Sequence, residues 1–171
     1  MKKIILLCTI AALVIGGCQN GPVRYSQDSP EIDTVKNLIA NYNSKLFDTA
    51  MYADTSKTYY NTTKNPMSPS EAMEYHRTSD INYTNRGFQT DQQEYEMVIT
   101  DDGERWVNCW LNWQATLAAN EQAVEIPVHL TFQFIDGKIV REYGYWDPTE
   151  IVLALQKMEA EANMQEETME P

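Results

Sequence analysis

The sequence has few basic residues. Thirteen Lys and Arg stand against 25 Asp and Glu, which gives a formal net charge of −12 at pH 7. Nucleic acids and anionic lipid headgroups select basic surfaces, so this charge argues against nucleic acid as a partner and against direct adsorption to lipid headgroups. Any attachment to a membrane must therefore depend on something other than charge.

Motifs for the common catalytic and cofactor sites are also missing. The chain has no Cys-x-x-Cys, no His-Glu-x-x-His, no glycine-rich phosphate loop and no Gly-x-Ser-x-Gly. Its two histidines, His76 and His129, lie far apart and have no acidic neighbour at ligand spacing, so no metal site is predicted. We predict that the protein works without a cofactor.

The first 18 residues have the organisation of a bacterial secretion signal. Met1-Lys2-Lys3 is cationic, and the apolar run over residues 4–15 is interrupted only by Thr9. A membrane span needs about 20 residues, so this run is too short to cross a bilayer and suits the apolar region of a signal peptide. Ile15-Gly16-Gly17-Cys18 then resembles the lipobox of bacterial lipoproteins, which implies cleavage after residue 17 and lipidation of Cys18.

The lipobox resemblance implies a lipid-anchored protein of the bacterial cell envelope, since two or more acyl chains hold a protein firmly on a membrane. Gln19 after the cysteine favours the outer membrane, as it does in proteobacteria, and the choice of leaflet stays open. The alternatives are a plain secretion signal with a coincidental cysteine and a short buried helix. With Cys8 removed and Cys18 acylated, only Cys109 is left, so the domain has no intrachain disulfide.

Two helices are predicted after a polar tether at residues 18–28. Ser29-Pro30-Glu31 is typical of a helix start, with a serine cap and proline in the first turn. The apolar residues that follow at helical spacing are Ile32, Val35, Leu38, Ile39, Tyr42 and Leu46. Ser68-Pro69-Ser70-Glu71 is a capping box and predicts a helix through Thr78. Between the two, the sequence predicts a short helix at Phe47–Tyr52 and a strand at Lys57–Asn61.

From residue 89 onward the apolar period changes to two, which predicts an antiparallel sheet. The four predicted strands are Glu94–Thr100, Arg105–Ala118, Val124–Ile135 and Lys138–Trp146. Asp147 is predicted to cap a closing helix, and the acidic residues 159–171 are predicted to fray. Residues 29–158 thus form a predicted α+β domain, a curved antiparallel sheet with N-terminal helices on its concave face and a C-terminal helix.

This pattern resembles the nuclear transport factor 2-like superfamily, which includes the SnoaL-like polyketide cyclases and ketosteroid isomerase. The residues that carry the resemblance are Tyr42, Met51-Tyr52-Ala53-Asp54 and Phe132-Gln133-Phe134-Ile135-Asp136-Gly137-Lys138-Ile139. The resemblance spans residues 31–158 and implies a cone-shaped α+β barrel with an apolar pocket. Its members include isomerases, cyclases, dehydratases, epoxide hydrolases and noncatalytic binders, so the fold does not decide the function.

The chain departs from both catalytic patterns of these relatives. Tyr60 stands about where the isomerase keeps its catalytic aspartate, and a tyrosine with a pKa near 10 is a poor base. Glu142-Tyr143-Gly144 stands where the SnoaL-like proteins have His-Trp-Asp. Neither proton-transfer constellation carries over to this sequence.

Strand alternation separates an apolar concave face from a mixed convex face. The residues predicted to line a ligand pocket are Tyr42, Tyr60, Leu111, Trp113 and Phe132. Trp106, Trp110 and His129 belong to the convex face and predict a homodimer or partner interface, the alternative being a cover of loops. The pattern of the last strand does not decide which side chains face inward. Either Arg141, Tyr143 and Tyr145 face inward, or Glu142, Gly144 and Trp146 do.

Glu142 is the best candidate for a catalytic residue, because a glutamate inside an apolar cone has a raised pKa suited to acid–base work. The alternative is that Glu142 faces solvent beside Arg141. His76 is predicted to be a solvated helix residue and Cys109 a buried structural thiol.

Three functions are therefore weighed. The first is a noncatalytic module that binds a small hydrophobic ligand. The second is an isomerase, dehydratase or hydrolase that uses Glu142 with Tyr42 or Tyr60 as hydrogen-bond donors. The third is an envelope assembly protein that works through the Trp106/Trp110 face.

Overall fold

A computed structural model describes residues 24–169, so the predicted signal peptide and Cys18 lie outside the described residues. The helices are α1 (Pro30–Asn43), α2 (Pro69–Ser79) and α3 (Thr149–Met169), with a 3-10 turn at Asp80–Asn82. The strands are β1 (Tyr25–Ser26), β2 (Tyr52–Tyr60), β3 (Tyr83–Phe88), β4 (Glu94–Ile99), β5 (Arg105–Leu117), β6 (Ala123–Ile135) and β7 (Lys138–Trp146). No helix within residues 24–169 is both long enough and apolar enough to cross a membrane.

The first two helices begin where their capping residues predict. The Ser29 hydroxyl accepts a hydrogen bond from the Ile32 amide at 3.2 Å. In the capping box of α2, the Ser68 amide donates to the Glu71 carboxylate at 2.7 Å and the Glu71 amide donates back to the Ser68 hydroxyl at 3.3 Å. These bonds satisfy backbone amides that have no partner inside the helix.

The strands form one curved, unclosed sheet in the order β1-β4-β5-β6-β7-β2, with β3 also paired to β5. The α+β class and the four long strands are confirmed. One pairing differs from the antiparallel prediction, because β2 runs parallel to β7 and makes the sheet mixed. Asp136 and Gly137 both have positive φ in the turn between β6 and β7, as the Asp-Gly pair predicts.

Two local predictions before the sheet are wrong. Residues 47–52 are not a helix, since 46–49 lack regular structure and Tyr52 already belongs to β2. The strand predicted over 57–61 begins at Tyr52, because its backbone pairs with β7, which local sequence does not reveal. The strand β3 is not predicted at all, and α1 ends at Asn43, before Leu46.

The hydrophobic core lies between the sheet and the helices. Helix α1 buries Ile32, Val35 and Ile39 and packs across β3, β4 and β5, while α2 packs against β2. From the sheet, Phe132 is completely buried, and so is Cys109, whose thiol contacts the Leu130 carbonyl at 3.6 Å. Burial raises the pKa of the Cys109 thiol, so this cysteine is a structural thiol, as predicted. Helix α3 continues to Met169, and the fraying of residues 159–171 stays a prediction.

Candidate functional site

A cavity of about 140 Å³ lies between the sheet and the helices. Its walls are mainly apolar and aromatic. The lining residues are Leu38, Ile39, Tyr42, Leu46, Phe47, Tyr52, Tyr60, Met73, Tyr75, His76, Ser79, Tyr83, Phe88, Trp113, Ile126, Val128, Leu130, Phe132, Glu142, Trp146 and Ile151. The cavity wall also contains a carboxyl group and an imidazole, which are linked through one tyrosine hydroxyl.

Glu142 provides the carboxyl group. The structure resolves the parity of β7, because Glu142 and Gly144 face inward and are buried while Arg141 and Tyr145 are exposed. Only 3 % of Glu142 is exposed. The alternative that this glutamate faces solvent is therefore wrong.

Three hydroxyl groups of β2 hold the Glu142 carboxylate. Tyr52 and Thr58 donate to its Oε2 atom at 2.8 and 3.1 Å, and Tyr60 donates to its Oε1 atom at 3.1 Å. The parallel pairing of β2 with β7 sets Thr58 opposite Glu142 in the sheet. Tyr52, Thr58 and Tyr60 are separated by even numbers of residues, so strand alternation places all three on the inward face of β2.

Burial dominates the electrostatics of Glu142. Removal from water raises the pKa of the carboxyl group, and the three hydroxyl donors oppose that rise only in part. Within residues 24–169 no Lys or Arg forms an ion pair with it. Within these residues, the ionised form of Glu142 is thus stabilised by neutral hydrogen-bond donors and not by an ion pair.

Tyr60 links Glu142 to His76. The Tyr60 hydroxyl lies 2.9 Å from His76 Nε2 as well as 3.1 Å from Glu142 Oε1. Burial first, and the nearby Glu142 charge second, raise the pKa of Tyr60 well above its ordinary value, so the phenol stays protonated.

His76 is not the solvated residue that the sequence predicts. Its ring lies half-buried in the cavity wall, stacked on Phe47 at a centroid distance of 6.2 Å and edge-on to Tyr42 at 5.1 Å. Burial and, secondarily, the positive charge of Arg86 lower the pKa of His76 to about 4. The helical spacing from Ala72 could have revealed this, since residues four apart share a face and Ala72 is buried.

Tyr42 provides a further polar group of the cavity wall. The Trp113 indole donates to the Tyr42 hydroxyl at 2.9 Å, and the Arg86 guanidinium lies 4.0 Å above the Tyr42 ring. Burial raises the pKa of Tyr42 to about 12, against the opposing effect of Arg86. Among residues 24–169 the Tyr42 hydroxyl proton has no acceptor, so it is available to a ligand.

Comparison with known proteins identifies the fold. No protein-family profile matches the sequence, and no curated protein matches it. Solved structures do match. A SnoaL-like polyketide cyclase from Agrobacterium tumefaciens superposes with a TM-score of 0.56 at 15 % identity over 75 % of this chain and 99 % of that chain. An NTF2-like protein of unknown function from Burkholderia pseudomallei gives 0.59 at 11 % identity, covering 73 % and 96 %.

PrhC from Penicillium brasilianum is a third match, with a TM-score of 0.58 at 14 % identity over 80 % of this chain and 93 % of that chain. The chain has the nuclear transport factor 2-like fold. At these identities the likeness concerns the fold alone, so the site has to be interpreted from its own residues.

Most residues predicted to line the pocket of this NTF2-like fold do line the cavity. Tyr42, Tyr60, Trp113 and Phe132 are in its wall. Leu111 is not. It has the same strand parity as Trp113 but packs into the core with only 4 % of its surface exposed.

Three site residues were absent from the predicted set, namely Tyr52, Thr58 and His76. The first two could not be found from the sequence because their role depends on the parallel pairing of β2 with β7. His76 could have been found from its helical spacing to the buried Ala72 in α2.

The structure leaves no room for a side chain at Gly144, where the resemblance to SnoaL-like sequences would place an aspartate. A Cβ atom at Gly144 would lie 2.9 Å from the Tyr60 ring, 2.9 Å from Trp146 and 3.0 Å from Leu130. The side chains of Tyr60, Trp146 and Leu130 therefore occupy the space that a side chain at position 144 would need. Glu142, two residues earlier on the same face of β7, supplies a carboxyl group instead.

The convex face of the NTF2-like sheet carries the residues predicted to form an interface. Trp110 is 45 % exposed and its ring lies 5.1 Å from that of His129. The Trp106 ring stacks on Tyr143 at 6.4 Å, and its indole donates to Glu104 at 3.0 Å. The structure thus places all three predicted residues on one aromatic surface, and its use as an interface stays a prediction.

Proposed function

We propose that the domain is an acid–base enzyme that binds a small, mainly apolar carbonyl compound and moves a proton on it. The observation that carries this proposal is the buried Glu142 carboxyl in the wall of an apolar cavity, held by hydroxyl groups and by no cation among residues 24–169. Burying an unpaired carboxylate is costly, and a cavity that only holds an apolar ligand gains nothing from it. Titratable groups with raised pKa inside a pocket are typical of active sites.

Glu142 is the proposed proton acceptor. Its Oε1 atom receives one hydrogen bond, from Tyr60, and an ionised carboxylate oxygen can accept a second. The raised pKa brings its basicity closer to neutral pH, where a general base is most effective. When Glu142 takes a proton from the carbon beside the carbonyl, negative charge develops on the carbonyl oxygen.

Tyr42 is the proposed donor to that oxygen. Its hydroxyl accepts from Trp113, so its own proton can point into the cavity. With a pKa of about 12, Tyr42 keeps this proton at neutral pH. A donor that is already in place when the charge develops lowers the barrier without reorganisation.

The size of the cavity limits the substrate. At about 140 Å³ it is comparable with cavities of roughly 150 Å³ that bind benzene. We therefore propose compounds with about one ring, and choose cyclohexanone as the probe.

The test is exchange of the α-protons of cyclohexanone in D₂O, followed by NMR. The wild-type protein should accelerate exchange over buffer, and Glu142→Gln should lower the rate by about 100-fold or more. Glu94→Gln, an exposed change on the outer face of β4, is the matched control and should leave the rate unchanged. Equal rates in the wild type and Glu142→Gln would refute the assignment of Glu142.

Noncatalytic binding of a small hydrophobic ligand is the second candidate. It is favoured by the aromatic lining and by the three donors of the chain itself that already satisfy Glu142. Trp113 and Trp146 line the cavity, so cyclohexanone binding should change tryptophan fluorescence. Saturable binding without any exchange above buffer would support this candidate and exclude the first.

We also propose that Cys18 anchors the protein in the bacterial cell envelope through lipid. The proposal rests on the lipobox Ile15-Gly16-Gly17-Cys18 after a short apolar run. In cells fed labelled palmitate, the wild type should incorporate the label and sediment with membranes, whereas Cys18→Ser should do neither. Labelling of the serine variant would contradict the anchor.

We further propose that two copies associate through the convex aromatic surface of Trp106, Trp110 and His129. Tryptophan is enriched in interfaces because it combines a large apolar area with a hydrogen-bond donor. The exposure of Trp110 supports this proposal.

A further inference from the structure

The Tyr60 hydroxyl has two partners and one proton. It lies 3.1 Å from Glu142 Oε1 and 2.9 Å from His76 Nε2. A phenol donates a single hydrogen bond while accepting others, so it can donate to only one of these partners at a time. Whichever partner it does not donate to must itself supply a proton for the second hydrogen bond.

The protonation of Glu142 therefore decides the direction of both bonds. An ionised Glu142 only accepts, so Tyr60 donates to it and His76 Nε2 must carry the hydrogen that Tyr60 accepts. A protonated Glu142 can donate to the Tyr60 oxygen. Tyr60 then donates to a bare His76 Nε2 atom, and the hydrogen of the neutral imidazole sits on Nδ1.

We propose that Glu142, Tyr60 and His76 form a proton relay, with Tyr60 as the carrier and His76 as the port to solvent. Outward, protonated Glu142 passes its proton to the Tyr60 oxygen while Tyr60 passes its own to His76 Nε2, and the resulting imidazolium releases the Nδ1 proton to water. Inward, the same steps run in reverse, and Tyr60 ends neutral in both directions. This relay rests on the proposed acid–base role of Glu142, and His76 acts through Tyr60 as a positioning residue.

The burial of the three groups follows the proposed path. Glu142 at the inner end is 3 % exposed, whereas Tyr60 and His76 are only partly buried. A proton on Glu142 therefore has a continuous hydrogen-bonded route towards the outside of the cavity.

The surroundings of His76 favour its neutral form. The charged groups that act on it are Arg86 of β3 and Asp80 of the 3-10 turn, which are paired with each other at 2.5 Å. Tyr42 of α1, Tyr60 of β2 and the adjacent Tyr75 face its ring, and the Arg77 guanidinium lies 5.8 Å from the centre of the stacked Phe47 ring. A neutral imidazole can accept from Tyr60 or donate to it, as the relay requires.

Nitrogen NMR of the histidines tests the relay without a substrate. The full-length protein labelled with ¹⁵N-histidine has only two imidazoles, His76 and His129. In the wild type, at a pH where Glu142 is ionised, His76 should be the Nε2–H tautomer. In Glu142→Gln the amide oxygen can satisfy Tyr52 and Thr58, the amide NH₂ then faces Tyr60, and His76 should change to the Nδ1–H tautomer.

Two controls make the result specific. The His129 signals should stay unchanged, because His129 lies on the convex face. In a Tyr60→Phe background the Glu142→Gln change should no longer alter the His76 tautomer. If Glu142→Gln does not fold, acid titration of the wild type gives the same test, since protonation of Glu142 should shift His76 towards Nδ1–H before its ring becomes cationic.

An unchanged His76 tautomer in folded Glu142→Gln, or a change that persists with Tyr60→Phe, would overturn the relay. Loss of cyclohexanone exchange in Glu142→Gln with an unchanged tautomer would overturn the relay alone and leave the acid–base role of Glu142 in place. If Glu142→Gln changes the His76 tautomer but the wild type does not accelerate exchange of the cyclohexanone α-protons, the proposed function is wrong and the relay has no catalytic role.

Discussion

Replacement of His76 by glutamine should make the folded domain more resistant to acid than the wild type. The pKa of His76 is about 4 in the folded protein against an ordinary value of 6.5, because the ring is buried beside Arg86. Between these two pH values the His76 imidazole binds a proton in the unfolded chain but not in the folded chain. The free energy of unfolding therefore decreases as the pH falls from about 6.5 to about 4. A glutamine does not titrate, so the His76→Gln protein does not show this decrease.

The magnitude follows from the difference between the two pKa values. It corresponds to about 3 kcal/mol, and the partial exposure of His76 makes this an upper value. A domain of this size is stabilised by about 5–15 kcal/mol in total, so the His76 contribution alone removes a substantial part of it. Carboxyl groups outside the Glu142–Tyr60–His76 chain titrate alike in both proteins and cancel in the comparison.

Urea unfolding at several pH values across this window measures the effect, with the midpoint and slope followed by circular dichroism. The wild type should lose stability relative to His76→Gln as the pH falls, and the difference should level off near pH 4. His129→Gln, which removes the other histidine, is the matched control for the substitution itself. Parallel curves for His76→Gln and the wild type would refute the burial argument for His76.

Three further outcomes are expected. Gly144→Ala should displace Tyr60, whose ring lies 2.9 Å from the added Cβ, and should lower α-proton exchange with little loss of secondary structure by circular dichroism; an unchanged rate would count against the role of Tyr60. Phe132→Ala should lower the free energy of unfolding by about 3–5 kcal/mol in urea, because Phe132 is completely buried; a loss below 1 kcal/mol would contradict its place in the core. Serine at both Trp106 and Trp110 should convert the proposed dimer to a monomer in native mass spectrometry, and an unchanged mass would argue against this interface.

The sheet could be predicted because its information is local. The strands β4, β5 and β6 alternate apolar and polar residues, and Asp-Gly pairs mark the turns before β5 and before β7. The helix starts were also local, since Ser29 and Ser68 cap amides only three residues away. These patterns can be recognised in the sequence without knowledge of the tertiary structure.

The candidate site could be predicted only in part, because it depends on pairings distant in sequence. The direction of Glu142 was open from the alternation of β7 alone, since Tyr143 and Tyr145 are as apolar as the inward set. The inward direction of Glu142 is established by the pairing of β7 with β2. Thr58 of β2, which lies 84 residues earlier in the chain, is opposite Glu142 in this parallel pair. Tyr52 was missed because residues 47–52 were predicted to be a helix, whereas Tyr52 is the first residue of β2 and shares the parity of Thr58 and Tyr60.

The close packing of Tyr60 on Gly144 means that these two positions cannot evolve independently. Any side chain at position 144 meets the Tyr60 ring, while a small residue at position 60 leaves a void and removes a donor from Glu142. Substitutions of contacting residues are not additive, so the residues tolerated at position 60 depend on the residue at position 144, which is epistasis. The absence of a side chain at 144 is thus itself a requirement of the site, because it makes room for a hydroxyl donor of Glu142.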